Sequence, residues 1–369
     1  MSATAIPNAP APQRQIDNAL TSGQLPRFFE VWALIGSLVV SGVLFAVVGF
    51  SVVGWIVVAA IVYLLIVGVI SSIVENRRKA VDRLVRGVVV IMFLLALAPL
   101  LSTLIDVIAR GAGDAFDPNF AFKVGGSHFD PVSLKVTTTI GAWQSVVGTL
   151  IITGIATVIS VPIGILTAIY LVEYGRPNST MNRAVTFLVD VMTGIPSIVA
   201  GLFAFSLFTL IIGPKAFSGF SAAIALCVLM IPIVVRSSEE MLKLVPLDLR
   251  EASYALGVTK FVTITRIVLP TAISGLITGV MIAIARVIGE TAPIFIAASF
   301  TNNFNADPFR NAMSTLPVMA YTGYKFPSTD VAGSVASAWG AALLLVILVV
   351  ILNLIARIVA RVFAPKGLR

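Results

Sequence analysis

Eight apolar runs, seven of them about 20 residues or longer and the sixth about 15, recur along this 369-residue chain and leave few folds open to it. A hydrocarbon core about 30 Å thick needs roughly 20 residues of helix. Val31 to Phe50 and Val52 to Ile73 form a hairpin turning near Gly49 to Gly54, and Gly87 to Ala109 is the third run. Val146 to Leu171, Thr193 to Ile212, Ser221 to Val235, Ala272 to Ala298 and Ala336 to Ile358 follow. Pro196, Pro232 and Arg236 interrupt the fifth and sixth. Inside lipid, backbone polar groups must pair within their own segment. The expectation is therefore an all-α integral membrane protein of about eight transmembrane helices.

Only 11% of the residues are charged and 58% are hydrophobic, against about a quarter charged in soluble domains, which excludes an ordinary cytoplasmic enzyme. The single cysteine, Cys227, excludes an internal disulfide, and with the single histidine, His128, it leaves no zinc cluster and no triad with a second imidazole. Residues 1–30 are proline-rich and polar, and read as a poorly ordered tail. They lack the short apolar region and small-residue cleavage site of a signal peptide, so the first span is expected to stay in the membrane.

The net charge of +8 is explained by topology. With both termini cytoplasmic, the tail, Arg77-Arg78-Lys79 with Arg83 and Arg86, the Arg176 to Arg183 loop, the Lys243 to Arg266 loop and the C-terminal end hold 17 of 25 basic residues. The outer loops hold 6, matched by 6 acidic residues when Asp106 at the outer end of the third run is counted with them, and Arg236 and Arg286 fall within or beside spans. Anionic lipid is partner enough for the inner face, and no nucleic acid is needed. Two outer segments are long. Arg110 to Ser145 mixes Gly, Asp, Pro and aromatic residues, and Ser299 to Ser334 carries Phe300, Phe304, Phe309, Tyr321, Tyr324 and Phe326. The second is expected to fold or re-enter against the membrane, either as a docking surface or as an interfacial anchor.

Between spans six and seven, Asp248 and Glu251 have the spacing of a reciprocal helix cap, and Gly257 supplies a stop before a second helix starts at Val258. Ala252, Ser253 and Ala255 would allow another surface to approach closely. Glu251-Ala252-Ser253, three residues, Gly257, nine residues, then Ile267-Val268-Leu269-Pro270 resembles the EAA loop of permease subunits of ATP-binding-cassette importers. That resemblance implies that Glu251, Ala252, Ser253 and Gly257 belong to a coupling loop, 246–267, docking on an ATPase subunit.

Ionisable groups inside a span cost roughly 2.5–3.5 kcal/mol on insertion scales, so each calls for a partner or a task. Arg286 and Glu290 stand one turn apart in the seventh span, either as a self-neutralising pair or as an oxyanion contact. Arg236 follows Ile231-Pro232, with Glu239 and Glu240 a turn further on, and either faces the path or snorkels to headgroups. Asp190 precedes Gly194-Ile195-Pro196-Ser197, where Gly194, Pro196, Ser197 and Gly201 read as a kinked, closely packing face able to gate. Gly289-Glu290-Thr291-Ala292-Pro293, taken with Gly194 to Phe203, is similar to the A-type permeases of phosphate-specific importers; C-type partners carry Thr-Met after the same Gly-Glu.

The resemblance runs from about Val146 to the C-terminus. It implies a six-helix, MetI-like permease core preceded by two extra spans, divided as tail 1–30, membrane helices 31–109, extracytoplasmic loop 110–145 and permease domain 146–369. It further implies Arg236, Arg286 and Glu290 in a phosphate path shared with a second, C-type permease. The remaining implied partners are a dimer of B-type ATPase subunits and an extracytoplasmic phosphate-binding protein, all in a bacterial inner membrane. No Gly-x-x-x-x-Gly-Lys-[Ser/Thr] loop occurs, so ATP and magnesium would sit on those ATPase subunits, and this chain would bind no cofactor or metal and act as no enzyme. A molybdate or sulfate permease shares the EAA loop and stands as the nearest alternative. A lipid-phosphate enzyme would need a nucleophile or metal ligands near the charges, and a membrane scaffold would not need Arg286.

Overall fold

A computed structural model describes residues 25, 26, 28–49, 51–130, 135–176, 179–213 and 217–363. Most of the tail reading falls outside them. The chain divides into two compact units, 1–103 and 104–369, the division falling within one long helix.

In the first unit α1 (Phe29–Val48) and α2 (Val52–Val74) form the expected hairpin. Small buried side chains, Ser37, Ser41, Ala59 and Ser71, let the two helices approach. The Trp55 indole N–H donates to the Leu38 carbonyl across the pair at 3.0 Å. The third helix, α3 (Arg77–Ala115), starts ten residues before the expected third span, so the basic turn is its first turn. Glu75, between α2 and α3, is the buried centre of an ionic cluster: Arg83 donates to both its oxygens at 2.9 Å, and the Ser71 hydroxyl and Leu25 N–H also donate to it. Arg83 reaches Glu30 on α1 as well, at 2.9 Å. The Arg83 guanidinium holds the Glu75 carboxyl well below the usual range, at about 2, against the opposing effect of burial.

The second unit opens with the short α4 (Pro118–Ala121) and an antiparallel ribbon, β1 (Val124–Asp130) and β2 (Lys135–Ala142). This ribbon, which contains His128, is the one departure from an all-helical chain among the described residues. Val124 pairs with Ala142 and Asp130 with Lys135, with a bulge next to Gly126. Gln144, buried, ties the ribbon's base down by accepting from Gly125 N–H and donating to the Gly141 carbonyl.

Helix α5 (Trp143–Ile169) continues into a π-helical turn, Tyr170–Tyr174. Next come α6 (Thr180–Thr193), α7 (Ser197–Ile212) and α8 (Gly219–Lys243). Short α9 (Leu247–Ala255) and α10 (Lys260–Thr263) lead through a second π-helical turn, Ile264–Val268, into α11 (Leu269–Val287). The chain ends with α12 (Ala292–Ala298), α13 (Leu316–Lys325) and α14 (Val331–Phe363). Helix α8 is the most enclosed, with α5, α6, α7, α11 and α12 packed around it. Ile152, Leu226, Met230, Val234, Ala283, Val287, Ile294 and Met313 form the main core.

Seven helices are long and apolar enough to span, and α6 with α7, bent by 104°, make an eighth if counted as one span. Three expectations are corrected. Span five does not begin at Thr193: that residue ends α6, and the backbone turns at Gly194-Ile195 before Pro196 caps α7. Pro232 does not interrupt span six, because α8 runs on to Lys243 with Pro232 buried among its neighbours. Span seven is not one helix, because Pro293, which cannot extend an incoming helix, sits in the first turn of α12 and the chain breaks at Gly289-Glu290.

The segment 299–315 is folded, as its apolar character suggested. Ser299 and Asn311 take φ of 62°, Phe220 N–H donates to the Pro308 carbonyl at 2.7 Å, and Leu316 N–H to the Thr149 hydroxyl at 2.9 Å. Met313, Leu316 and Val318 are fully buried, while Phe309, Tyr324 and Phe326 face outward.

Candidate functional site

The loop between α8 and α11 is held from inside and exposed outside. Arg250 on α9 donates twice to Glu173 in the π-helical turn after α5, at 2.9 and 3.1 Å, and to the carbonyls of Leu242 and Val245 at 2.9 and 2.6 Å. Both charged side chains are almost fully buried, so the pair survives desolvation through its additional hydrogen bonds. Ser253 faces inward rather than toward a partner, its hydroxyl 2.8 Å from that of Thr263. The expected cap does not form: Pro246 occupies the cap position, and Asp248 lies in the first turn, where its charge suits the helix dipole. Gly257 ends the element at φ 73°, a left-handed conformation costly for residues with a Cβ. Glu251 and Ala252 are exposed, beside a rim of exposed Leu244, Leu247, Tyr254, Leu256 and Phe261.

The three charges expected within the membrane separate into two kinds. Arg236 on α8 is bonded to Asp190 on α6 and to Glu239 at 2.8 Å, and Lys243 joins Glu239 at 2.7 Å. It thus ties α6, just before the 104° bend, to the central helix. Arg286 is exposed, and it makes no hydrogen bond or ion pair among the described residues. Glu290 lies beyond the end of α11, half-buried in the break, so the two residues do not share a helix and do not pair. On α11, Gly275 meets Met241 and Gly279 meets Ser237, so α8 and α11 run antiparallel. At 1.5 Å per residue, Arg286 stands roughly 9 Å along the axis from the level of Arg236.

The bend and the break face one another. A Cβ added to Gly201 on α7 would come within 2.7 Å of Pro293 Cα on α12, so only glycine permits this crossing. Gly194 ends α6, and Pro196 and Ser197 start α7. Among the described residues no group of three His, Cys, Asp or Glu side chains could hold a metal.

Residues 160–367 match the family model described as binding-protein-dependent transport system inner membrane component. The chain belongs to this family of permeases. The permease is 46% identical over 256 residues, 69% of its length and 80% of the relative's, to phosphate transport system permease protein PstA 1 of Mycobacterium tuberculosis. It is 43% identical over 190 residues, 52% of its length and 62% of the relative's, to phosphate transport system permease protein PstA of Yersinia pestis. A solved inward-facing MetNI methionine ABC transporter aligns with a TM-score of 0.47 at 24% identity, covering 61% of this permease and 95% of that chain. Two site features of the permease escaped sequence reasoning. Arg250 reads as an ordinary charge in a polar loop, and its partner Glu173 lies 77 residues away at the end of an apolar run. Asp190 was visible as a charge, but its pairing with Arg236 depends on the bend that brings α6 against α8.

Proposed function

We propose that this permease is the A-type membrane subunit of an ATP-driven phosphate importer. Its α11 face and the Gly289–Pro293 break form the anion path with a second, C-type permease. The observation that carries this reading is Arg286: a guanidinium exposed and unpaired on a membrane helix, in a chain whose relatives bear the name of phosphate permeases. Its planar fork of donors suits a tetrahedral oxyanion. Glu290, half-buried in the break, would accept a proton-bearing oxygen of hydrogen phosphate. Arg236, already held by two carboxylates, would act as a latch at the bend, and Gly194, Pro196, Ser197 and Gly201 would supply the packing on which that bend turns.

Glu251 to Gly257, with its apolar rim, would dock in a groove of a B-type ATPase dimer carrying ATP and magnesium. An extracytoplasmic phosphate-binding protein would meet the aromatic segment 299–326 on the other side. In this reading both termini are cytoplasmic in a bacterial inner membrane. Co-expression with the two partner subunits, reconstitution into proteoliposomes and addition of the binding protein should give ATP-dependent phosphate uptake. Uptake of molybdate or sulfate with none of phosphate would overturn the phosphate reading.

A further inference from the structure

Helix α11 shows three different faces. Ala272, Leu276, Gly279, Ala283 and Val287 are buried against the central helix. Ile277, Met281, Ile284 and Ile288 line an apolar groove of about 270 Å³ shared with α14. The third face carries Ser274, Thr278, Ile282 and Arg286 at strict four-residue spacing, all exposed. Helix α5 has a face of the same spacing, Leu150, Gly154, Val158, Pro162 and Leu166, also exposed and wholly apolar, as a surface meeting lipid should be. A face bearing two hydroxyls and a guanidinium does not suit hydrocarbon. The Ser274 hydroxyl has no hydrogen-bond partner among the described residues, and the Thr278 hydroxyl has only the carbonyl one turn back, at 2.8 Å.

Resting on the phosphate reading above, we infer that Ser274 and Thr278 are anion-contacting residues of the path, continuing it from Arg286 toward the coupling loop. Ser274 and Thr278 lie about 6 Å apart along the axis, and Thr278 about 12 Å from Arg286 across Ile282, a gap partly spanned by the long arginine side chain, which leans toward the helix N-terminus. The occupant is set by charge: a cationic group with unspent donors, and no carboxylate paired with it, takes an oxyanion. Each hydroxyl can donate to a phosphate oxygen and accept from a protonated one.

The test uses the whole reconstituted importer, with Cys227→Ala removing the one native thiol. Ser274→Cys and Thr278→Cys should react with an anionic methanethiosulfonate, and phosphate should slow that reaction at least about fivefold, while Ile277→Cys on the groove face should not react. Double replacement Ser274→Val, Thr278→Val should lower maximal phosphate uptake about tenfold, the worth of one hydrogen bond to a charged group, with little change in half-saturation. The exchange Ser274→Thr, Thr278→Ser should restore uptake to within about twofold. Thiols at 274 and 278 that react no faster than one at 277, or that phosphate does not protect, would overturn the inference while wild-type phosphate uptake keeps the functional reading intact. Wild-type transport, and protection of both thiols, by sulfate or molybdate alone would overturn the phosphate reading and leave the path assignment standing for that anion.

Discussion

Arg236 and Arg286 stand on neighbouring, antiparallel helices, and their surroundings assign them different work. Arg236 spends its donors on Asp190 and Glu239, so its removal should act on stability. Because the pair with Asp190 is half-exposed, that cost is modest, about 1 kcal/mol. Arg286 spends none, so Arg286→Gln should leave the melting temperature unchanged and cut phosphate uptake at least tenfold. Arg236→Gln should lower the melting temperature measurably, and equal effects of the two variants on stability and uptake would refute the division. A third charge makes a prediction with pH. Glu75 is ionised down to about pH 2 in the folded hairpin but only to about 4.5 when unfolded, so its stabilisation is complete above 4.5 and lost as pH falls through 2. Converted at 1.36 kcal/mol per unit, this is about 3 kcal/mol. Amide-exchange protection factors across the α2–α3 junction, with the intrinsic pH dependence divided out, should fall below pH 4.5 in the wild type, whereas Glu75→Gln should be less protected at neutral pH and show a flat protection profile. Asp190, Arg236 and Arg286 could be picked out of the sequence by their scarcity within apolar runs, whereas Glu75 could not. Their pairings could not, because partners 46 or 53 residues apart meet only through the bend at Pro196 or the α1–α3 contact.

At the scale of elements, the loop between α8 and α11 was legible where backbone chemistry is local and illegible where tertiary packing decides. Gly257 ends α9 as its residue type demands. The Asp248 cap fails because Pro246 already sets the entry angle, and Ser253 is drawn inward by Thr263. Likewise, Gly289 to Pro293 contained the signal for a break inside the seventh apolar run, but the apolar stretches on either side of it read as one continuous span. The loop's rigidity rests on Arg250. Arg250→Met, which leaves Glu173 buried without its partner, should cost about 3 kcal/mol locally and raise amide exchange across residues 244–259. Gly257→Val forces a branched residue into the left-handed region at a cost of about 1–3 kcal/mol. In the assembled importer both changes should lower uptake per ATP hydrolysed; unchanged coupling in either would count against the docking role.

For the whole molecule, the apolar runs were enough to establish a multi-span membrane protein, and the motifs that resemble a permease lie where the family model matches. The ribbon β1–β2 and the amphipathic α6 were missed, since both are too polar to register as spans and the reading followed apolar runs rather than amphipathic period. The charge count predicts an orientation that can be measured directly. In intact cells carrying Cys227→Ala, an impermeant thiol reagent should label Asp307→Cys, in the aromatic segment, and should label Leu256→Cys, at the end of α9, only after permeabilisation. The reverse pattern would invert the topology.

The π-helical turn Ile264–Val268 lies between this loop and the spanning part of α11. Such a turn carries one residue more than an α-helical turn would, and one residue corresponds to about 100° around the axis. It therefore sets the rotational phase between the two ends of the element: where Phe261 points relative to Ser274, Thr278 and Arg286. Deleting one residue there would leave the remaining side chains chemically intact, yet turn the loop's apolar rim by more than a quarter of a circle relative to Arg286.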